Sequence, residues 1–214
     1  MPQSNIAPYR PIYRLIAFIA RSILKIAFGL KINGLDNIPK NGAFIFASNH
    51  RSIIDPPVLG SVCPREVFYA AKKELLEVPI FGWFIAYLNA VPVRRTGYDR
   101  GVLKLLGNAL DNGYGITIFP EGTRSRDGNL GKPRPGVGVL SKNHNAVIVP
   151  VFISGSSNIM QQVLKRKLAV QFGEVLQFNA DFFSDTDDDK DSYRKIAAEV
   201  IRNIAKLGAI KSPV

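Results

Sequence analysis

The stretch Ala43-Phe44-Ile45-Phe46-Ala47-Ser48-Asn49-His50-Arg51-Ser52-Ile53-Ile54-Asp55-Pro56 changes character twice. Its first five residues are apolar, the pattern of a short strand buried on both faces. Ser48 to Ile54 then turn polar and mixed. Asp55-Pro56 reads as a helix start, because Asp is favoured at the cap and Pro at the first helical position. The segment therefore reads strand, turn, helix, which is the unit of an α/β fold. His50 stands just past the strand end, five residues before an acid. Inside one regular helix those two side chains point about 140° apart and never meet. Across a strand-to-helix turn they can meet. A histidine held by a carboxylate is a general base able to activate a hydroxyl. Asp55 has a second role open to it as a helix cap, and its two oxygens allow both.

Working outward, further short apolar runs follow the same plan. Strands are expected at Ala43–Ala47, Glu66–Ala71, Ala90–Val93, Gly115–Phe119, Ala146–Ile153 and Leu168–Phe178. Helices are expected near 56–62, 74–88, 99–112 and 135–144, with an amphipathic one from about Tyr193 to Lys206. This alternation predicts an α/β fold with a mixed, largely parallel central sheet flanked by helices. In such sheets ligands gather at the carboxyl ends of the strands. The polar residues collect there. His50 follows the first of these strands, Lys72 the second, Arg94 and Arg95 the third, and Glu121-Gly122-Thr123-Arg124 the fourth. One such coincidence means little, but four on one rim are hard to attribute to sheet stability. Arg124 suits two-pronged phosphate binding, Lys72 offers a point charge, and Gly122 lets a ligand approach the backbone. His144 reads as a helix-end residue outside this group. The acidic stretch from Asp181 to Asp191 reads as a solvated loop favouring the next helix N-terminus.

The 214 residues suffice for one domain with a real core, and Lys and Arg outnumber Asp and Glu by 28 to 17. The resulting net charge of +11 favours an anionic partner such as phosphate groups, an anionic bilayer, nucleic acid or an acidic carrier protein. Cys63 is the only cysteine, so no intrachain disulfide forms, and there is no Cys/His cluster for zinc. The chain has no Gly-X-Ser-X-Gly elbow, which counts against a covalent acyl-enzyme. Residues 12–30 are broken by Arg14, Arg21 and Lys25 and fall short of a bilayer span. On a helix these three bases share one side, interrupted by Phe18, while Ile12, Leu15, Ile16, Ile19, Ile23 and Ile26 spread over the other. Such a helix suits a membrane interface, with packing on the domain's own core as the plain alternative. Residues 1–30 are thus read as a membrane-associating segment and 31–214 as the α/β domain. Val78 to Val93 is uncharged, but Pro79, Gly82, Asn89 and Pro92 argue for a short helix, a turn and a strand.

With those residues in place, the chain resembles the glycerolipid acyltransferases, specifically the 1-acyl-glycerol-3-phosphate acyltransferases. The resemblance rests on His50 to Asp55, on Lys72-Lys73-Glu74-Leu75 followed by Pro79 and Gly82, and on Ala90 to Arg95. It rests further on the intact block Phe119–Ser125 and on Val149-Pro150-Val151. These blocks lie in the family's order over roughly residues 31–155. The resemblance implies that His50 deprotonates the hydroxyl of lysophosphatidic acid, with Asp55 orienting it. The oxygen then attacks an acyl thioester of coenzyme A or acyl carrier protein, without cofactor, metal or covalent intermediate. It also implies that Glu121, Gly122 and Thr123 help build the acceptor site and that Lys72, Arg124 and Arg95 hold the phosphate. Phosphatidic acid is the implied product, made at the cytoplasmic face of a membrane by a peripheral or monotopic protein. Asn89 departs from the family's usual Gly and Arg94 from its usual Asp.

Three other readings compete. The same chemistry could serve another acceptor, such as an ornithine lipid precursor or a different lysophospholipid. A non-catalytic lipid-binding protein could keep the fold, although the intact His50, Asp55 and Glu121–Arg124 argue against it. Nucleic-acid binding rests on the charge alone, with no accompanying recognition signature.

Overall fold

The computed structural model describes residues 11–93, 100–125, 127–157, 165–179, 182–183 and 188–214. Its seven described strands are β1 (Lys31–Asn33), β2 (Phe44–Ser48), β3 (Val67–Lys72), β4 (Ala90–Val93), β5 (Gly115–Ile118), β6 (Val147–Ser154) and β7 (Ala169–Phe172). They form one sheet in the order β1-β7-β6-β2-β5-β3-β4. Neighbours pair in parallel except β6 with β7, so the edge pair β1–β7 runs against the other five strands. The sheet is mixed and largely parallel, as the sequence predicts.

Helices cover both faces. The described ones are α1 (Pro11–Phe28), α2 (Asp55–Val62), α3 (Lys73–Leu76), α4 (Phe81–Tyr87), α5 (Arg100–Asp111), α6 (Gly136–Asn143) and α7 (Asp189–Leu207). Alternate residues of β2 serve opposite layers. Ile45 and Ala47 pack with Leu106, Val137 and Ile201 from α5, α6 and α7. Phe44 and Phe46 pack with Val58, Leu59 and Val62 of α2. With both faces covered, β2 has no exposed residue, which explains its unbroken apolar run. A third cluster joins Tyr13 and Ile16 of α1 to Tyr69, Ile85 and Leu88.

Three sequence expectations need correction. The helix expected over 74–88 is two, α3 and α4. Pro79 lacks the amide that would continue the first, and Ile80 takes φ +64° before the second begins. The strand expected over 168–178 ends at Phe172. Gly173 then donates to Pro150 O at 2.8 Å, and Leu176 alone returns to bridge Ile148. Strand β1 went unread because three residues carry no periodicity; it exists through its partner β7. The departure at Asn89 also has a physical account. Its φ is +62°, a value glycine adopts freely and Asn tolerates better than most, and its amide donates to Glu66 Oε2 at 3.1 Å.

Helix α1 packs on the domain's own core and also keeps an exposed apolar stripe. Tyr13, Ile16, Ala17 and Ala20 are buried, and the Tyr13 hydroxyl donates to Gly60 O at 3.1 Å. Ile16 thus turns inward, away from the expected apolar stripe. Ile12, Leu15, Phe18, Ile19, Ile23 and Ile26 remain exposed. Val78, Ile80 and Trp83, around the start of α4, are exposed as well. No helix among the described residues is long and apolar enough to cross a membrane.

Candidate active site

Strands β2 and β5 lie side by side in parallel, so the loops at their carboxyl ends are neighbours. Their following helices diverge, α2 to one face and α6 to the other. That divergence leaves a crevice at a topological switch point, the usual place for a ligand in such a sheet.

The loop after β2 is fixed by buried polar bonds. The Asn49 side chain donates to Ile153 O at 2.9 Å and accepts from Ile153 N at 2.7 Å, so it extends the ladder toward β6. His50 follows at once. Its main chain is clamped on both sides by the loop after β5. His50 N donates to Glu121 Oε1 at 3.0 Å, and His50 O accepts from Ser125 N at 2.8 Å. The imidazole stacks on Phe119, with ring centroids 4.0 Å apart.

The histidine and the acid meet. His50 Nδ1 lies 2.9 Å from Asp55 Oδ2, and the Asp55 side chain is wholly buried. The same oxygen accepts from Arg51 N and Ser52 N, each at 2.7 Å. Asp55 therefore does not cap α2. Its carboxylate turns back onto the amides of the turn, and α2 begins without a side-chain cap. Three donors on one oxygen hold the carboxylate in place. The Nδ1 contact favours the tautomer with its proton on Nδ1 and a lone pair on Nε2.

A cavity of about 480 Å³ opens beside this pair. Of the sequence-predicted residues, His50, Lys72, Gly122, Thr123 and Arg124 line it. Arg94 and Arg95 lie outside the described residues. Glu121 belongs to the site differently from its expected substrate-binding role. It is buried, and its oxygens accept from His50 N and, at 2.8 Å, from Gly131 N. It braces the main chain and is absent from the lining. Sequence reading missed Arg134, which lines the cavity from the loop before α6. The only signal was a basic residue between Pro133 and Pro135, and prolines hold a loop rigid. The inner wall is apolar, with Tyr69, Leu75, Ile85, Leu103, Leu106 and Val137 among its residues. Beyond the site, His144 closes α6 and pairs with Asp111 at 2.6 Å, as a helix-end residue should. Cys63 is buried, and desolvation pushes its thiol up to about 12, so it is a poor nucleophile.

The fold and site together define a class, an α/β protein with a histidine–carboxylate pair beside a partly cationic, partly apolar cavity. Comparison with known proteins narrows it. The acyltransferase family model matches residues 29–154, and the chain belongs to that family. The chain is 31% identical to the 1-acyl-sn-glycerol-3-phosphate acyltransferase of Bacillus subtilis, over 79% of this chain and 84% of that protein. It is 32% identical to the chloroplastic enzyme of that name from Arabidopsis thaliana, over 72% of this chain but only 44% of the plant protein. In structure it resembles the lysophosphatidic acid acyltransferase PlsC of Thermotoga maritima. The TM-score is 0.66 at 27% identity, covering 96% of this chain and 86% of that one.

Proposed function

We propose that the protein transfers an acyl chain from a thioester to the sn-2 hydroxyl of 1-acyl-glycerol-3-phosphate, forming phosphatidic acid. The observation that carries this reading is the Asp55-held imidazole of His50 on the wall of a cavity with both cationic and apolar linings. A lysophosphatidic acid presents the matching parts, namely a phosphate, a free hydroxyl and an acyl chain. The family supports acyl transfer, and the names of the relatives support the same substrate.

The proposed chemistry makes use of that geometry. His50 Nε2 takes the proton of the hydroxyl as its oxygen attacks the thioester carbon. Asp55 stabilises the imidazolium through Nδ1–H. The tetrahedral adduct collapses, the carbon–sulfur bond breaks, and the imidazolium returns the proton to the departing thiolate. One ester and one thiol result, and the base is regenerated without a covalent enzyme intermediate. Lys72 and Arg124 hold the phosphate while the acyl chains lie against the apolar wall. The donor is a thioester of coenzyme A or of an acyl carrier protein, both anionic and suited to a basic surface.

The protein sits on a membrane by the exposed stripe of α1. Six large apolar side chains on that helix face solvent, and Arg14, Arg21 and Lys25 lie on its exposed surface too. That pairing suits an anionic bilayer interface at the cytoplasmic side. Purified protein supplied with lysophosphatidic acid and either thioester tests the reaction. The expected product is phosphatidic acid, with one thiol released per ester formed. Thiol release without phosphatidic acid contradicts the proposed acceptor.

A further inference from the structure

Arg134 has no part in the reading of the sequence, yet its own amide and that of Gly131 tie its loop to the loop after β5. Its amide donates to Pro120 O at 2.8 Å. Three residues earlier, Gly131 N is tied to Glu121 Oε2. Its side chain runs across Gly122, where an added Cβ would come within 2.7 Å of both Cδ and Nε of Arg134. Gly122 also has φ +69°, a conformation that glycine adopts freely. Arg134 lines the cavity and is exposed, with no carboxylate paired to it among the described residues.

Charge makes the arrangement informative. Among the described lining residues are three strong cations, Lys72, Arg124 and Arg134, and no acid. The nearby acids are otherwise engaged, with Asp55 on His50 and two amides, and Glu121 on two amides. A phosphomonoester carries a charge of about −1.5 to −2 at neutral pH and offers three terminal oxygens. A phosphodiester carries a single charge. Three cations lining one cavity match the first better than the second, and a forked guanidinium adds two directed donors.

We propose that Arg134 binds the acceptor's phosphate together with Lys72 and Arg124, and that Glu121 is the positioning residue holding Arg134 and His50 in fixed relation. The first part rests on the proposed acyl transfer to a phosphomonoester lipid. Because one carboxylate holds His50 N and the base of the Arg134 loop, the phosphate anchor and the hydroxyl base form one rigid unit. Arg134 thereby favours a monoester head group over a diester one.

The test uses the full chain and the variants Arg134→Gln, Arg134→Lys and Lys132→Gln, each checked by thermal unfolding. Lys132 lies in the same loop but does not line the cavity. Arg134→Gln should raise the KM for lysophosphatidic acid tenfold or more and leave the thioester KM within twofold. Its preference for lysophosphatidic acid over a lysophosphodiester should narrow by a similar factor. Arg134→Lys should recover part of both losses, and Lys132→Gln should match the wild type. A donor-free measurement separates this idea from the proposed reaction. Glycerol 3-phosphate should raise the thermal midpoint of the wild type and not that of Arg134→Gln. If the wild type fails to acylate lysophosphatidic acid but that difference persists, the anion site stands and the acceptor assignment falls. The proposal is overturned if Arg134→Gln alters only the thioester KM. It is equally overturned if that variant binds glycerol 3-phosphate like the wild type.

Discussion

The rim at the ends of β2 and β5 and the N-terminal helix α1 are built on opposite terms. At the rim, polar groups are buried and committed. Asn49, Asp55 and Glu121 spend their side chains on main-chain amides and carbonyls, so each loop fixes its neighbour. On α1 the Tyr13 hydroxyl donates to Gly60 O, and apolar packing of Tyr13, Ile16 and Ala17 joins the helix to the body. Its outward side carries six exposed large apolar side chains beside Arg14, Arg21 and Lys25. The difference fits the roles proposed for the two regions. Chemistry needs side chains held to fractions of an ångström, and directional bonds supply that. A lipid surface has no fixed geometry, so a stripe of oily side chains suffices.

The largest effect that can break this contrast is at Asp55. Replacing it with Asn keeps the volume but removes the charge that stabilises the imidazolium. The rate should fall about 10²–10⁴-fold, with little change in acceptor KM. Steady-state kinetics on a variant that still unfolds cooperatively checks this, and a loss below threefold would mean that His50 works without its partner. Next comes Glu121→Gln. One amide hydrogen of the rim would then face an NH₂ in place of an oxygen. Stability should drop by about 1–3 kcal/mol by chemical denaturation. Activity should drop through kcat, because the residue positions the base; a loss confined to acceptor KM would restore Glu121 to a direct substrate-binding role.

The two sides of α1 give a sharper test within one helix. Ile16 is 8% exposed and Ile19 is 48% exposed, although the sequence offers nothing to tell them apart. Ile16→Ala should cost about 2–4 kcal/mol of stability. Ile19→Ser should cost under about 0.5 kcal/mol and instead weaken flotation with anionic liposomes, most visibly when combined with Ile23→Ser. Equal flotation by that double variant and the wild type would remove the stripe as the membrane contact.

That pair also marks the limit of what the sequence discloses. The strand, the turn and the His50–Asp55 meeting were legible because apolar runs and turn residues act locally. So was the convergence of Lys72 and Arg124, because strand ends in a parallel sheet share an edge. The inward turn of Ile16 depends on which way α1 lies over Tyr69 and Ile85, a fact of packing alone. Asp55 looked equally suited to cap a helix, and only the position of the Arg51 and Ser52 amides decides the matter. Arg134 was hidden because its place is set by a carboxylate elsewhere in the chain. Strand β1 was hidden because its pairing partner is remote in sequence.

The smallest effect near neutral pH lies in the alkaline range. Burial raises the phenols of Tyr13 and Tyr69, and it raises the Cys63 thiol from 9.0 to about 12. Groups raised on folding bind protons more tightly in the folded state than in the unfolded one. Their contribution is complete below pH 9 or so and fades as pH climbs toward about 12 for the thiol. Tyr13, Cys63 and Tyr69 all lie on the α1–α2 side of the sheet. Thermal midpoints should therefore be nearly level up to about pH 9 and fall above it. A decline already steep at pH 8 would point to groups elsewhere.

The central claim is that the Asp55-held imidazole of His50 is the base acting on a hydroxyl bound in the adjoining cavity. The most direct measurement is the rate of thioester-dependent phosphatidic acid formation by the wild type and by His50→Ala, at equal folded concentration and saturating lysophosphatidic acid. The account predicts a loss of at least about 10²-fold in kcat with binding of glycerol 3-phosphate retained. A variant that forms phosphatidic acid at a rate comparable with the wild type would contradict it.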